Sequence, residues 1–391
     1  MGQARTYLDN AATSWPKPEE VYTAVEAYQR HCGAAVGRGV YREAIEASKA
    51  VERARGGIAQ LIGAEDPRQI VFTANGTDAL NLAIHSALSP GDHVVTTVVE
   101  HNSVLRPLRW LEDRGVIRVT RVACDAEGIV PPAAIARALC DETKLVAVLH
   151  ASNVTGALQK VAEIGRIVAP HDALFLVDAA QTLGHVSIDV RELQADLLAA
   201  PGHKGLLGPL GTGLLYLREG VETRLESVRQ GGTGSLSEQD RQPASLPDKY
   251  ESGNHNAPGL CGLAAAVDYV LQRGVDDLCR HASQLSERLR QGLAGIEGVS
   301  LYGPANIDDR VGVVSMNLKG YDSRELAALL ESAFRVQVRA GIHCAPRMHE
   351  SLGTLSTGGT VRFSFGAMNT PRDADAAVSA IKEIAAAGSP N

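Results

Sequence analysis

Residues 174–217 constrain this chain most. They read LFLVDAAQ, then a connecting stretch, then DLLAAPGHKG, then GTGLLYL. LFLVD is a short apolar run ending in a carboxylate. A buried strand of a parallel sheet reads this way when it delivers one charged residue at its C-terminal end. DLLAA reads as a second buried strand, broken by Pro201 and Gly202, and GTGLLYL as a third. The break presents His203 and Lys204 on a turn. Asp178, Gln181, His203 and Lys204 therefore meet at one edge of one sheet, where open α/β sheets bind ligands. Strands alternate with helices over residues 69–217, which predicts a mostly parallel central sheet with helices on both faces.

A lysine on that edge, near an Asp held among apolar residues, suits pyridoxal 5'-phosphate. The amine can condense with the aldehyde, and the Asp can pair with the pyridinium nitrogen and keep the ring an electron sink. GHK alone fits a surface loop equally well; its place one sheet-crossing after VDAAQ is what gives it weight. The 391-residue length suffices for a sizeable core and two domains. A net charge of -7 suggests neither nucleic acid nor an anionic membrane as partner. No apolar run reaches the length of a membrane span, and the opening MGQARTYLDN lacks an apolar signal region, so the expected location is the cytoplasm. The 6 cysteines form no CxxC pair, so no metal site is expected.

The flanking segments supply further candidates. YLDNAA reads as a short strand or turn, with a helix bounded by Pro16 and Pro18 after it. Residues 43–62 predict a long helix. QIVFT predicts a buried strand, Asn75-Gly76 a tight turn, and residues 77–84 an amphipathic helix. A Gly turn opening a helix leaves free N–H groups that suit a phosphate. DHVVTTVVEHN predicts a strand ending in Glu100-His101-Asn102, and KLVAVLHASNVTG a strand followed by Asn153. Gly, Ser and Pro crowd residues 231–253, a long loop. A helix from residue 259 is expected to connect to a smaller C-terminal α+β domain. Its strands fall near 311–318, 336–339 and 361–365, and its helices near 324–331 and 373–386. The expected partition is 15–258 for the large domain, with 1–14 and 259–391 forming the small one.

RAGIHCAP is the second focus. Gly341 and Pro346 bracket a bend carrying His343 and Cys344, with Arg339 just before it. A free thiol titrates near ~8.5, and positive neighbours lower it, so Cys344 is a candidate thiolate. VRFSFGAMNT puts Arg362 on a strand, where a fixed guanidinium can grip a carboxylate.

With DAAQ, GHK, the EH pair and the HCAP segment in place, the chain resembles the cysteine desulfurases. The likeness is strongest to their group II, in the class V group of fold-type I pyridoxal-phosphate enzymes, and runs from Tyr7 to about Lys382. The resemblance implies a fold-type I transferase. It implies phosphate contacts from Gly76 and Thr77, a ring wall from His101, a hydrogen bond from Asn153 to the ring hydroxyl, and cofactor contacts from Asp178, Gln181, His203 and Lys204; the His101 imidazole, with an ordinary pKa near neutrality, is also a candidate catalytic proton carrier beside Lys204. The substrate side would hold Arg362, Arg339 and Asn10, and Cys344 would take sulfur from L-cysteine, leaving alanine. A homodimer and a separate sulfur-acceptor protein follow, the acceptor because the loop is too short to travel; iron-sulfur cluster assembly is one destination for that sulfur. Two residues depart from the pattern. Pro201 stands where the family has a phosphate-binding Ser, and Asn254 stands where many relatives have a Thr reaching the partner's phosphate. The two departures imply a looser phosphate cup, or one completed by other residues such as Ser252 or His255. Alternatives are a selenocysteine lyase, another class V aminotransferase or lyase that does not use Cys344, or a non-catalytic cofactor-binding interaction subunit.

Overall fold

The computed structural model describes residues 5–388; residues 1–4 of the segment assigned above to the small domain, and 389–391, lie outside them. Strands are β1 (Thr6–Tyr7), β2 (Ile70–Thr73), β3 (His93–Thr97), β4 (Arg118–Val122), β5 (Thr143–Leu149), β6 (Leu174–Asp178), β7 (Leu197–Pro201), β8 (Gly213–Leu217), β9 (Val299–Tyr302), β10 (Val313–Leu318), β11 (Val336–Gln337), β12 (Arg339–Gly341) and β13 (Thr360–Ser364). The α-helices are α1 (Glu19–Ala27), α2 (Arg42–Ile62), α3 (Gly76–Ala87), α4 (Asn102–Glu112), α5 (Pro132–Ala138), α6 (Val161–Val168), α7 (Ala257–Arg273), α8 (Val275–Ala294), α9 (Ser323–Phe334), α10 (Pro346–Ser351) and α11 (Pro371–Ala387).

The central sheet has 7 strands in the order β2-β8-β7-β6-β5-β3-β4. Its pairs are parallel from β7 through β4, and only β8 runs against its neighbours. The expected α/β architecture with a mostly parallel sheet is therefore observed. Successive residues of β5 and β6 belong to opposite cores. Leu145, Ala147, Leu174 and Leu176 face one cluster; Val146, Val148, Phe175 and Val177 face the other. Helices cover both faces, which is why these strands read as unbroken apolar runs. β2 runs parallel to β7, because each is antiparallel to β8. The C-terminal ends of β2, β3, β5, β6 and β7 thus open on one edge of the sheet.

A second, antiparallel sheet of 4 strands, β12-β13-β10-β9, holds its own core with α8, α9 and α11. The N-terminal segment joins it: β1 pairs with β11, Asp9 bridges to Ser364, and Leu8 is buried in that core. The helix expected as a connector, α7, packs its apolar face on the large sheet's core through Leu260, Leu263, Ala264 and Val267. Two boundaries differ from the sequence reading. β3 stops at Thr97, and His101 instead caps α4, its side chain accepting the Ser103 N–H. β7 extends through Pro201, whose missing N–H costs no ladder bond at the strand's last residue.

Candidate active site

A cavity opens at the shared C-terminal edge. Its walls include Gly76, Thr77, His101, Asn153, Asp178, Gln181, His203 and Lys204, so eight residues singled out from sequence converge there. β6 ends on Asp178. One Asp178 oxygen accepts the Ala180 N–H at 2.9 Å; no described residue hydrogen-bonds the other. Burial raises the carboxyl's pKa, opposed by the nearby Lys204 charge. Gln181 spends its amide on the Ala11 carbonyl at 3.1 Å, fastening the N-terminal segment across the edge.

The Pro201–Gly205 turn sets Lys204. A Cβ on Gly205 would sit 2.4 Å from the Leu183 oxygen, so no larger residue fits beside the lysine. The carbonyl of His203 accepts from the Ser14 N–H and from the Lys17 amine, pinning the other side. Lys204 is half-buried on the cavity wall; desolvation there lowers its pKa to about 8, Asp178 opposes the shift, and Arg362 and Arg339 add to it. An amine of that pKa is partly neutral at physiological pH, as a nucleophile or proton carrier requires.

Gly76 opens α3 behind the cap Asn75, whose side chain accepts the Asp78 N–H. A Cβ at Gly76 would lie 3.1 Å from Cδ of Pro201. The proline found in place of the family's serine therefore forms the floor under the helix start. Asp78, close to the free N–H groups, is neutralised by Arg229. Thr77 Oγ1 lies 2.7 Å from Ser103 Oγ, which in turn lies 2.8 Å from His101 Nδ1. Because that Nδ1 accepts a backbone N–H, the ring proton resides on Nε2. Burial, with Lys204 and Arg339 next, depresses His101 to about 4, so it is a neutral imidazole. Asn153 donates to the His343 carbonyl at 2.6 Å, while its Oδ1 is buried without a partner.

Cys344 lies beside this cavity, on a groove that shares Thr77, His101 and Ser103 as walls. The expectation of a thiol flanked by two cations holds for one of them. Arg339 reaches Cys344 Sγ at 3.6 Å. His343 turns away and is buried, with Nε2 at 3.0 Å from the Thr360 carbonyl, and burial drops its pKa to about 2. It carries no charge toward the thiol. His343 and Cys344 both adopt left-handed backbone, with φ of 46° and 59°. Such residues cost on the order of 1–2 kcal/mol each and persist only where the surroundings over-determine them. Here the Asn102 N–H holds the Cys344 carbonyl at 2.7 Å, and Asn153 holds that of His343.

The remaining candidates sit apart from the cavity walls. Arg362 is 1% exposed; it pairs with Asp9 at 2.6 Å and donates to the Asn153 carbonyl, leaving Nε buried without a partner. Asn10 donates to the Ser364 carbonyl and to Asn369 Oδ1, so its amide holds the N-terminal turn to the end of β13 and to the loop after it. Asn254, with Ser252 and His255, lines a different pocket beside Arg229 and Glu251. Neither Ser252 nor His255 completes the phosphate cup of this chain. Ser103 and Asp9 are functional candidates not singled out from sequence. Ser103 is signalled only by its place two residues after a capping His. Asp9 becomes visible only when β13 brings Arg362 to it. Glu100, buried behind His101, accepts from Thr97 and the Leu149 N–H, and burial raises it to about 8.

The donor set suits pyridoxal phosphate: free helix N–H groups for a phosphate, an unpartnered Asn153 oxygen for a hydroxyl, a bare Asp178 oxygen for a ring N–H, and the Lys204 amine on the same cavity wall.

The profile of the family described as Aminotransferase class-V matches residues 6–377. The chain is 38% identical over 387 residues to a probable cysteine desulfurase of Methanothermobacter thermautotrophicus, covering 98% of this chain and 95% of that one. It is 33% identical over 382 residues to a cysteine desulfurase of Haloferax volcanii, covering 96% and 88%. The solved cysteine desulfurase of Thermococcus onnurineus NA1 superposes with a TM-score of 0.92 at 35% identity, covering 98% of this chain and 95% of that one. Profile, relatives and fold agree over almost the full length, and the chain belongs to the class-V aminotransferase family and, within it, to the cysteine desulfurases.

Proposed function

We propose that the protein is a pyridoxal-phosphate-dependent cysteine desulfurase that moves sulfur from L-cysteine to Cys344 and releases L-alanine. The observation carrying this reading is the adjacency of two nucleophiles: Lys204 in the cavity and Cys344 on a groove with shared walls. A cofactor enzyme acting on the amino group alone has no use for a thiol held in strained backbone beside an arginine.

Gly76 and Thr77 N–H groups, with the Thr77 and Ser103 hydroxyls, would hold the phosphate. Asp178 would keep a proton on the ring nitrogen, and Asn153 Oδ1 would accept from the ring hydroxyl. Pyridoxal phosphate, when bound, supplies an electrophilic aldehyde and an electron sink for the substrate's α-carbon. Lys204 anchors it and then, as a free amine of pKa about 8, takes and returns the α-proton. Arg362 and Arg339 attract the substrate carboxylate, and Asp9 fixes the Arg362 fork. The Cys344 thiolate attacks the substrate sulfur; its carbon–sulfur bond breaks, and a persulfide on Cys344 and alanine remain. The persulfide then passes to an acceptor thiol. We also propose a homodimer in which Asn254 of one copy reaches the phosphate cup of the other. None of the described helices is long and apolar enough to cross a membrane.

The test is production of alanine and sulfide from L-cysteine in the presence of dithiothreitol. Wild type should produce both in equal amounts, and Cys344→Ala neither at the wild-type rate. Alanine and sulfide from Cys344→Ala at the full rate would refute the role of the thiol.

A further inference from the structure

Cys344 is held by its own carbonyl and that of His343, so a sulfur on it does not swing out to a distant partner. The receiver must come to it. The way in is a groove of about 640 Å³ between α3 and α4, with Asn81 and His85 on one wall, Arg106, Pro107 and Trp110 on the other, and Cys344 at its end. That volume lies within the ~300–1,000 Å³ of ligand-sized clefts, enough for a chain segment to enter.

The groove's charge is opposite to that of the whole chain. Net charge is -7, yet no carboxylate lines the groove. Arg106 has no ion pair among the described residues. Arg114, next to the groove's walls, stacks its guanidinium 3.8 Å from the Trp110 ring centre, and its side chain hydrogen-bonds only the Trp110 carbonyl among the described residues. Arg339 faces the sulfur. The acids at the C-terminal end of α4, Glu112 and the capping Asp113, are bound to Arg121 and Arg109. Trp110 itself is 49% exposed, its ring met edge-on by His85 at 5.8 Å. An open tryptophan among unpaired arginines has the composition of a binding anchor.

Resting on the desulfurase reading, we infer that this groove docks the acceptor, and that the acceptor presents a cysteine on an extended segment flanked by Asp or Glu. Its acidic side chains meet Arg106 and Arg114, and its apolar stem covers Trp110. In the transfer the acceptor thiolate attacks the outer sulfur of the Cys344 persulfide. A new sulfur–sulfur bond forms on the acceptor, the old one breaks, and Cys344 leaves as a thiolate. No external oxidant or reductant is consumed. The surrounding arginines offset the charge of the incoming thiolate.

Two peptides of equal length, one with its single cysteine flanked by Asp and Glu and one by Lys, serve as acceptors for the holoenzyme, with dithiothreitol as the small-thiol control. The acidic peptide should receive sulfur about tenfold faster at low salt. The advantage should collapse at about 0.5 M salt, where screening acts over a few ångströms. Arg114→Glu should abolish the preference, and Trp110→Ala should slow transfer to the acidic peptide about fivefold or more, both with unchanged dithiothreitol-supported turnover. Equal rates for the two peptides, or wild-type transfer by both variants, would overturn the inference. So would a Trp110 shielded from acrylamide quenching in the purified protein, which assigns the groove to a second copy. Loss of turnover with dithiothreitol in the wild type would instead sink the desulfurase reading itself.

Discussion

Burial sets the protonation of Lys204, and this makes its chemistry testable by pH. With a pKa lowered to about 8, the neutral amine gains population up to that pH and then saturates. The rate at which cofactor-free protein attaches pyridoxal phosphate should therefore rise from pH 6 to about 8 and level off. An ordinary lysine, near ~10.4, would keep accelerating roughly tenfold per unit through pH 9; stopped-flow absorbance separates the two. Borohydride should then fix the cofactor to the Lys204 peptide. Asp178→Asn keeps shape and hydrogen bonding to the Ala180 N–H while removing the charge held against the ring. We expect kcat to fall by orders of magnitude with little change in the circular dichroism spectrum. A variant with wild-type kcat would show that the carboxylate does not govern the ring.

Among elements, the segment after β8 depends on one buried ion pair. Arg55 of α2 grips Glu251 with two bonds of 2.9 Å, and Glu251 also accepts the Phe72 N–H of β2 at 2.6 Å. Glu251→Ala leaves the buried guanidinium with only the exposed Glu52 carboxylate at 3.2 Å, a loss approaching about 3–5 kcal/mol. Urea unfolding should show a lower midpoint at unchanged slope; an unmoved midpoint would mean that the pair contributes nothing net. The central strands were legible because doubly covered strands are apolar at every position, as in LFLVD and KLVAVL. The end of β3 was not, since Val98 and Val99 prolong the apolar run while the chain already turns toward the His101 cap. The cavity side of the site was legible for a related reason: each of its residues sits at, or just after, the C-terminal end of a strand. The orientation of His343 was not. It depends on Thr360, on another element, and a sequence neighbour of a cysteine reads the same whether its ring faces the sulfur or the core. Asp9 was hidden likewise, because its partner lies 353 positions away.

At the scale of the whole molecule, the position of Asn254 is the informative feature. Within one chain it lies in a pocket apart from Gly76 and Thr77. If a second copy brings its own Asn254 to that cup, Asn254→Ala should weaken cofactor affinity severalfold without altering the oligomer's mass in sedimentation. Unchanged affinity would assign the phosphate wholly to α3 and its neighbours. The same logic of separated parts applies to the sulfur. Lys204 belongs to the large sheet's edge, and Cys344 to a loop between β12 and α10 of the second sheet. On the reading proposed above, sulfur transfer needs both, on either side of the shared walls Thr77, His101 and Ser103. The most direct test is peptide mapping by mass spectrometry after brief exposure of the wild-type holoenzyme to L-cysteine. One added sulfur on the peptide containing Cys344, absent when Lys204 is replaced by Ala, is the predicted result. An unmodified Cys344 peptide, or the added sulfur on Cys32, Cys124, Cys140, Cys261 or Cys279, would contradict it.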